Sequence, residues 1–117
     1  MKNKKSKLKH LSDQLWAAII RNKKKCEMCY AQNVRFNAHH IVSRANHSLR
    51  YDLRNGLCLC VDCHFNIAHR DPIAVIEFLK DERPDDLKHL QKEKRKISQL
   101  REKDYEDILE RLRHETI

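Results

Sequence analysis

Two pairs of cysteines constrain this chain more than any other feature. Cys26 and Cys29 form one Cys-x-x-Cys pair, and Cys60 and Cys63 form a second. Two thiolates on one tight turn and two on another can close a tetrahedron around Zn²⁺ and fill every coordination position. A module of about 45 residues cannot bury enough surface to fold alone, so a bound metal would supply the missing stability. The pairs therefore predict a structural zinc site.

The fifth cysteine leaves a second ligand set open. Cys58 and Cys63 also have a spacing that zinc ligands use, and alternation along a strand puts Cys58 on the same face as Cys60. Cys60 is the favoured ligand, because Cys60-x-x-Cys63 repeats the spacing of the first pair. Cys58 is then expected to be a small buried hydrophobic side chain.

The charge of the chain indicates its class of partner. Its 25 Lys and Arg residues outnumber its 17 Asp and Glu residues, for a formal net charge of +8, which is typical of nucleic-acid binders. Aromatic residues make up only 6% of the chain, too few for an evident aromatic base-binding platform. There is no run of 18 apolar residues and no signal-like segment, so we expect no membrane contact and a cytoplasmic location.

Hydrophobic spacing divides the chain into segments. Residues 1–9 are rich in lysine and predict a flexible basic arm. Residues 10–25 predict a helix with Trp16 in its apolar stripe and cations at its carboxyl end, where they suit the helix dipole. We expect Trp16 to be a core residue.

Residues 26–70 show no helical periodicity and contain the cysteine pairs and most of the histidines. The short apolar runs there predict strands or knuckles at 34–36, 40–42 and 57–61. Residues 71–117 predict a C-terminal helical extension that begins with Asp71 as N-cap and Pro72 at the first helical position. A second helix is expected from about Asp86 toward Arg113, with a break between 98 and 103.

The order of the polar residues in the central segment resembles that of the HNH endonucleases, the ββα-metal nucleases. After the first cysteine pair come His39-His40-Ile41, Asn55-Gly56-Leu57 and Leu59-Cys60-x-x-Cys63-His64. The stretch from His40 to Asp52 also resembles the phage recombination nucleases NinG and Rap. The resemblance covers about residues 26–70. It implies an α+β fold, in which a small zinc-stapled ββα-metal core is flanked by an N-terminal helix and C-terminal helices.

The resemblance also implies roles for individual residues. His39 would bind the catalytic metal, and His40 would be the general base. Asn55 would hydrogen-bond the backbone near the pair and hold the base, and His64 would be the second metal ligand. His69 is a candidate third ligand, but a separation of five residues on an α-helix turns its ring away from His64 by more than a quarter circle. Either the helix unwinds there, or water completes the site, and His69 then contacts substrate or is merely exposed.

The donor set predicts which metal the site accepts. Many members of the family have Asp where this chain has His39, and a carboxylate favours Mg²⁺. Imidazole ligands are softer, so we expect Mn²⁺ or Ni²⁺ to support activity at least as well as Mg²⁺.

The activity implied is hydrolysis of a phosphodiester in double-stranded or branched DNA, with 5′-phosphate and 3′-hydroxyl products, in a bacterial or phage-infected cell. Three arginines near the motif are candidates for phosphate contacts: Arg44, Arg50 and Arg54. The alternative is that each is a solvated surface charge, or that Arg50 forms an ion pair with Asp52 or Asp71. The C-terminal helices could form a homodimer. The alternatives are a non-catalytic zinc-stabilised nucleic-acid-binding module and a protein–protein scaffold.

Overall fold

A two-stranded antiparallel sheet lies in the middle of the chain and carries helices on both sides. The computed structural model describes residues 3–96 and 98–115. In chain order the elements are α1 (Lys4–Arg21), β1 (Phe36–His40), a 3₁₀ turn (Leu53–Asn55), β2 (Gly56–Cys60), a π-helix (Cys63–Ala68), α2 (Pro72–Glu82), α3 (Pro84–Glu93) and α4 (Glu102–His114). The α+β class is confirmed.

The two strands pair in a short register that runs from Phe36 opposite Cys60 to His40 opposite Gly56. Instead of the two short segments predicted at 34–36 and 40–42, the structure has one strand, which runs from the last residue of the first segment to the first residue of the second. The extended run ends at His40, since the next two backbone N–H groups bond to Asn55 instead of to β2. The predicted segment 57–61 agrees with β2 to within one residue.

The only glycine of the chain allows α1 to approach β2 closely. A Cβ atom at Gly56 would lie 2.9 Å from Trp16 Cζ2 and closer still to the end of the Ile20 side chain. Both of these α1 residues are buried. A larger residue at Gly56 would therefore push the helix away from the sheet.

Helix α1 begins earlier than the sequence predicted. It starts at Lys4, so the described part of the predicted flexible arm is helical, while Lys2 lies outside the described residues. Asn3 caps the helix by accepting a hydrogen bond from the Ser6 N–H at 2.8 Å. Lys4 forms ion pairs with two carboxylates of α4, from Glu102 and Glu106. The sequence around Lys4 did not reveal these partners.

The C-terminal extension consists of three helices. Asp71 caps α2 by accepting a hydrogen bond from Ala74 N–H at 3.1 Å, and Pro72 is the first helical residue, as predicted. The predicted helix from Asp86 toward Arg113 is two helices whose break starts before residue 98. The 43–49 loop contacts the end of α3, where Asn46 Nδ2 donates a hydrogen bond to the Lys94 carbonyl at 2.9 Å.

Two buried clusters stabilise the fold. One joins the cysteine-rich knuckles to α2 and α3, and the other joins α1 to β2 and α4. The apolar residues of α4 are buried inside this second cluster or beside it, namely Tyr105, Leu109 and Leu112. These three side chains of α4 therefore pack within the chain. None of the described helices is long and apolar enough to cross a membrane.

Candidate metal centres

Four cysteines meet where the two knuckles approach each other. The Sγ atoms of Cys26, Cys29, Cys60 and Cys63 all lie within 4.8 Å of one another. The Cys29 and Cys60 sulfurs are 3.7 Å apart, and a tetrahedral site with Zn–S bonds of 2.3 Å requires about 3.8 Å. The predicted cysteine cluster is confirmed, and its geometry could hold a structural zinc ion.

Backbone amides point at two of these thiols and favour the thiolate of Cys26. The Cys29 N–H points at Cys26 Sγ at 3.5 Å, and the Cys63 N–H points at Cys60 Sγ at 3.4 Å. Burial alone would raise the pKa of Cys26, but the surrounding backbone N–H donors lower that pKa to about 7. Since zinc binds the thiolate, these donors favour the form that the metal needs.

Cys58 lies outside this cluster. It is fully buried beside Trp16 and Ile20, and its Sγ is 3.9 Å from the Arg21 carbonyl. Burial raises the pKa of the Cys58 thiol, which keeps it protonated and apolar. Of the two ligand sets that the spacing left open, the structure brings together the one containing Cys60.

Three histidines form a second cluster. His39 comes from the end of β1, and His64 and His69 come from the start of the π-helix and the residue that follows it. The ring centroid of His39 lies 5.1 Å from that of His64 and 5.3 Å from that of His69. The Nε2 atoms of His64 and His69 are 3.0 Å apart, close to the roughly 3.3 Å between two nitrogens bound tetrahedrally to one ion.

The π-helix explains why His69 joins this cluster. The His69 N–H donates to the His64 carbonyl at 3.1 Å, a bond that spans five residues instead of the four of an α-helix. The wider turn brings residues five apart onto one face. The expectation that His69 turns away from His64 assumed α-helical geometry, and that assumption is wrong here.

Burial favours the neutral form of two of the three imidazoles. Burial, followed by the neighbouring His64 and His69, lowers the pKa of His39 to about 4. Burial and His69 also lower the pKa of His64 below its ordinary value. Because a metal binds the unprotonated ring, the cluster is ready to accept a divalent cation.

Asn37 contacts the cluster and was missed by the sequence analysis. Its side-chain Nδ2 position lies 3.0 Å from His64 Nδ1. A contact at Nδ1 orients the ring so that Nε2 faces His69, as second-layer contacts do for metal-binding histidines. The sequence could have indicated Asn37, because residues two apart on a strand face the same side and Asn37 is two residues before His39.

His40 faces the opposite side of β1. Its Nε2 lies 3.0 Å from the Arg50 carbonyl, and its ring stacks on Trp16 with centroids 3.9 Å apart and planes 10° from parallel. A carbonyl oxygen only accepts hydrogen bonds, so the neutral ring carries its proton on Nε2, and Nδ1 is the basic nitrogen. Burial lowers the pKa of His40 and keeps the ring neutral. Trp16 is in the core, as predicted, but its contact with His40 was not foreseen.

Asn55 connects the two ends of the loop that follows β1. It is completely buried, accepts a hydrogen bond from the Val42 N–H at 2.7 Å, and donates to the Val42 and Leu49 carbonyls at 3.1 Å each. Leu49 directly precedes Arg50, whose carbonyl binds His40. Asn55 therefore acts on the backbone around His40, in the manner that the resemblance implies, and touches neither ring.

The three candidate DNA-binding arginines have different surroundings. Arg44 is exposed beside the histidines. Arg50 is only 6% exposed, and its guanidinium forms a two-bond ion pair with Asp13 of α1 at 2.8 and 2.9 Å. Arg54 pairs with Asp86 at 2.9 Å and does not line the histidine groove. Of the three, the structure places only Arg44 in the histidine groove, while Arg50 is buried in an ion pair and Arg54 has an acidic partner.

One groove of about 730 Å³ is lined by all four of these histidines, while the buried Asn55 lies outside it. Its polar wall holds four imidazoles and one guanidinium, from His39, His40, His64, His69 and Arg44. The facing wall comes from α2 and α3 and is mostly apolar. Compared with family models, with curated proteins and with solved structures, the chain matches none. Its function must therefore be inferred from the chemistry of this groove.

Proposed function

We propose that this protein is a metal-dependent DNA endonuclease of the HNH type. The observation that carries the proposal is the arrangement of four imidazoles in one groove: three converge on a single point, and the fourth stands beside them without joining the cluster. Three protein ligands are the usual number in a catalytic metal site, because open positions remain for water and substrate. The four-cysteine cluster has no such position and suits a structural role.

His39, His64 and His69 would hold the catalytic cation. When bound there, a divalent cation supplies positive charge that stabilises the phosphate and the leaving oxygen as negative charge develops. The three nitrogen donors favour Mn²⁺, Ni²⁺, Co²⁺ or Zn²⁺ over Mg²⁺, which prefers oxygen ligands.

His40 would be the general base. Its Nδ1 accepts a proton from water, the water oxygen forms a bond to phosphorus, and the bond from phosphorus to the 3′ oxygen breaks. The 3′ oxygen then takes up a proton, which leaves a 3′-hydroxyl and a 5′-phosphate. The Arg50 carbonyl and the Trp16 ring hold the imidazole in place, so little reorientation is needed before the proton moves.

The net charge of +8 and the cations of the groove support a polyanionic substrate. Arg44 and Lys94 both line the groove and can contact phosphates. Binding through phosphates is sensitive to salt and reads little base sequence.

A plasmid-nicking assay tests the proposal. The wild-type protein, supplied in turn with Mn²⁺, Ni²⁺ and Mg²⁺, should cut DNA, with Mn²⁺ or Ni²⁺ at least as effective as Mg²⁺. His40→Ala should reduce the cleavage rate by about 100-fold or more, as expected for loss of a general base. His10→Ala is the matched control, because His10 is exposed on α1 and lies outside the groove.

The outcomes separate the enzyme from the alternative. If the wild-type protein cuts linear, supercoiled and branched DNA no faster than His40→Ala with each of these metals, the nuclease proposal fails. DNA binding that persists without any cleavage would instead support a zinc-stabilised binding module.

A further inference from the structure

The wall of the groove that faces the histidines is apolar, although the groove is suited to a polyanion. Helices α2 and α3 contribute the side chains of Val75, Ile76, Leu87 and Leu90 to this wall. Val75, Leu87 and Leu90 are buried, while Ile76 remains 41% exposed and is the most accessible of the four. A substrate that contacts this wall must therefore present an apolar surface as well as phosphates.

The charged residues of the groove all have the same sign. Among the described residues that line it, the charged side chains are Arg44 and Lys94, and none is acidic. The chain as a whole has 17 acidic residues, so their exclusion from this surface favours an anionic ligand. The groove thus joins a metal-binding side that carries Arg44 to a mostly apolar side that carries Lys94 at the end of α3.

An exposed aromatic ring lies next to this groove. Phe65 is 53% exposed and packs beside the rings of His64 and His69, with centroid distances of 4.8 and 5.8 Å. Exposed aromatic rings next to cationic grooves bind nucleic-acid bases by stacking. This exposed aromatic ring was not predicted from the sequence, because only the low aromatic content of the whole chain was considered.

We propose that the groove binds an unpaired strand of DNA, with its phosphates on the histidine side and its bases against the apolar wall. A duplex keeps its bases stacked and paired inside a shell of phosphates, so it offers little apolar surface to α2 and α3. An unpaired strand exposes base faces and phosphates together. This inference rests on the proposed nuclease function and names the substrate class of that site.

The loop that forms the polar wall is bonded to the end of α3, and this keeps the two walls in place. Asn46 donates to the Lys94 carbonyl at 2.9 Å, and Ser48 lies within hydrogen-bond distance of the Glu93 and Lys96 carbonyls. These bonds hold the two walls of the groove at a fixed separation before a strand binds. A fixed separation favours a narrow substrate over a wide one.

Binding measurements test the inference without depending on cleavage. The zinc-loaded full-length chain, with no further metal added, is titrated into a fluorescent 20-nucleotide single strand and into the matching duplex, and anisotropy is recorded. The single strand should bind about tenfold more tightly than the duplex, as expected when stacking and apolar contacts add to phosphate contacts.

Two isoleucines on α2 give a matched pair of variants. Ile76→Asn should weaken single-strand binding about fivefold, because it replaces an apolar contact with a base by a polar amide that would lose water on binding. Ile73→Asn should bind like the wild-type protein, since Ile73 is 67% exposed and does not line the groove. The effect of Ile76→Asn should persist at high salt, which screens phosphate contacts but not apolar ones.

Equal binding of strand and duplex, or equal behaviour of the two variants, would overturn the inference. His40-dependent cleavage of duplex DNA together with equal binding would remove only this inference and leave the proposed function. Strong single-strand binding that depends on Ile76, without cleavage of any DNA, would remove only the nuclease proposal.

Discussion

At the scale of single residues, two adjacent histidines have separate surroundings because neighbouring strand residues face opposite ways. His39 joins the two imidazoles of the helical segment, whereas His40 stacks on Trp16 of α1 and bonds to the Arg50 carbonyl. Both rings still line one groove, because β1 ends at His40. His39 thus belongs to the three-histidine cluster, and its neighbour in the sequence, His40, does not.

Replacement of Asn55 should lower both stability and activity. Asn55→Ala removes three hydrogen bonds, two to the backbone of Val42 and one to the Leu49 carbonyl, so we expect the free energy of unfolding to fall by about 3 kcal/mol. Urea unfolding measures this change. Asn66→Ala is the control, because Asn66 is exposed and makes one bond to Asp62, and it should change stability by roughly 0.5 kcal/mol or less. A similar change in both variants would contradict the role of Asn55.

The low pKa of His39 makes stability depend on pH. Burial, followed by His64 and His69, lowers the pKa of the folded state from 6.5 to about 4. Between these values the unfolded chain binds more protons than the folded one, so the free energy of unfolding falls as the pH is lowered through this window.

His39→Gln should make this pH dependence shallower, because glutamine does not titrate. The measurement is the urea midpoint at several pH values between 7 and 4, with one equivalent of zinc bound. His10→Gln should keep the wild-type slope, because His10 is exposed. A slope that His39→Gln leaves unchanged would show that His39 is not buried as described.

At the scale of elements, the π-helix is the device that aligns His64 with His69. Its hydrogen bonds span five residues, and such wide turns are rare and frequent at functional sites. It begins at Cys63, so one short segment connects the four-cysteine cluster to the three-histidine cluster. The position of the second cluster therefore depends on the first.

Deletion of Asn66 tests this alignment. The deletion shortens the separation of His64 and His69 from five residues to four, and an ordinary α-helix then places both rings on one face. We expect the deletion variant to retain a binding site for Ni²⁺, measured by titration calorimetry on the zinc-loaded protein. Insertion of one alanine after Asn66 should abolish that site. Retention after insertion combined with loss after deletion would contradict the alignment.

At the scale of the whole molecule, the sheet is too small to stabilise itself. Two strands of five residues each join two buried clusters, and one of those clusters includes three of the metal-binding cysteines. A two-stranded sheet needs packing on a helix or a metal to be stable. We therefore expect zinc to be required for the fold.

Cys60→Ser and Cys58→Ser form a matched pair that tests this requirement. Both residues are buried in β2, but only Cys60 belongs to the cluster. Cys60→Ser should lose stoichiometric zinc, measured by elemental analysis, and lose the cooperative thermal transition. Cys58→Ser should keep one zinc per chain and unfold cooperatively. Loss of zinc in Cys58→Ser but not in Cys60→Ser would contradict the ligand assignment.

The sequence by itself determined the features that depend on a few neighbouring residues. The spacing of the cysteine pairs predicted the four-thiol cluster, and Asp71 followed by Pro72 predicted the start of α2, because ligand spacing and helix capping are local rules. The choice of Cys60 over Cys58 followed from the same repeat of spacing.

Only the tertiary structure decided the features that join distant parts of the chain. Arg50 is buried because Asp13, 37 positions away, neutralises its charge. The π-helical turn brought His69 to His64, and α1 supplied Trp16 to the face of His40. Such contacts depend on packing between elements, which local spacing, capping and charge do not encode.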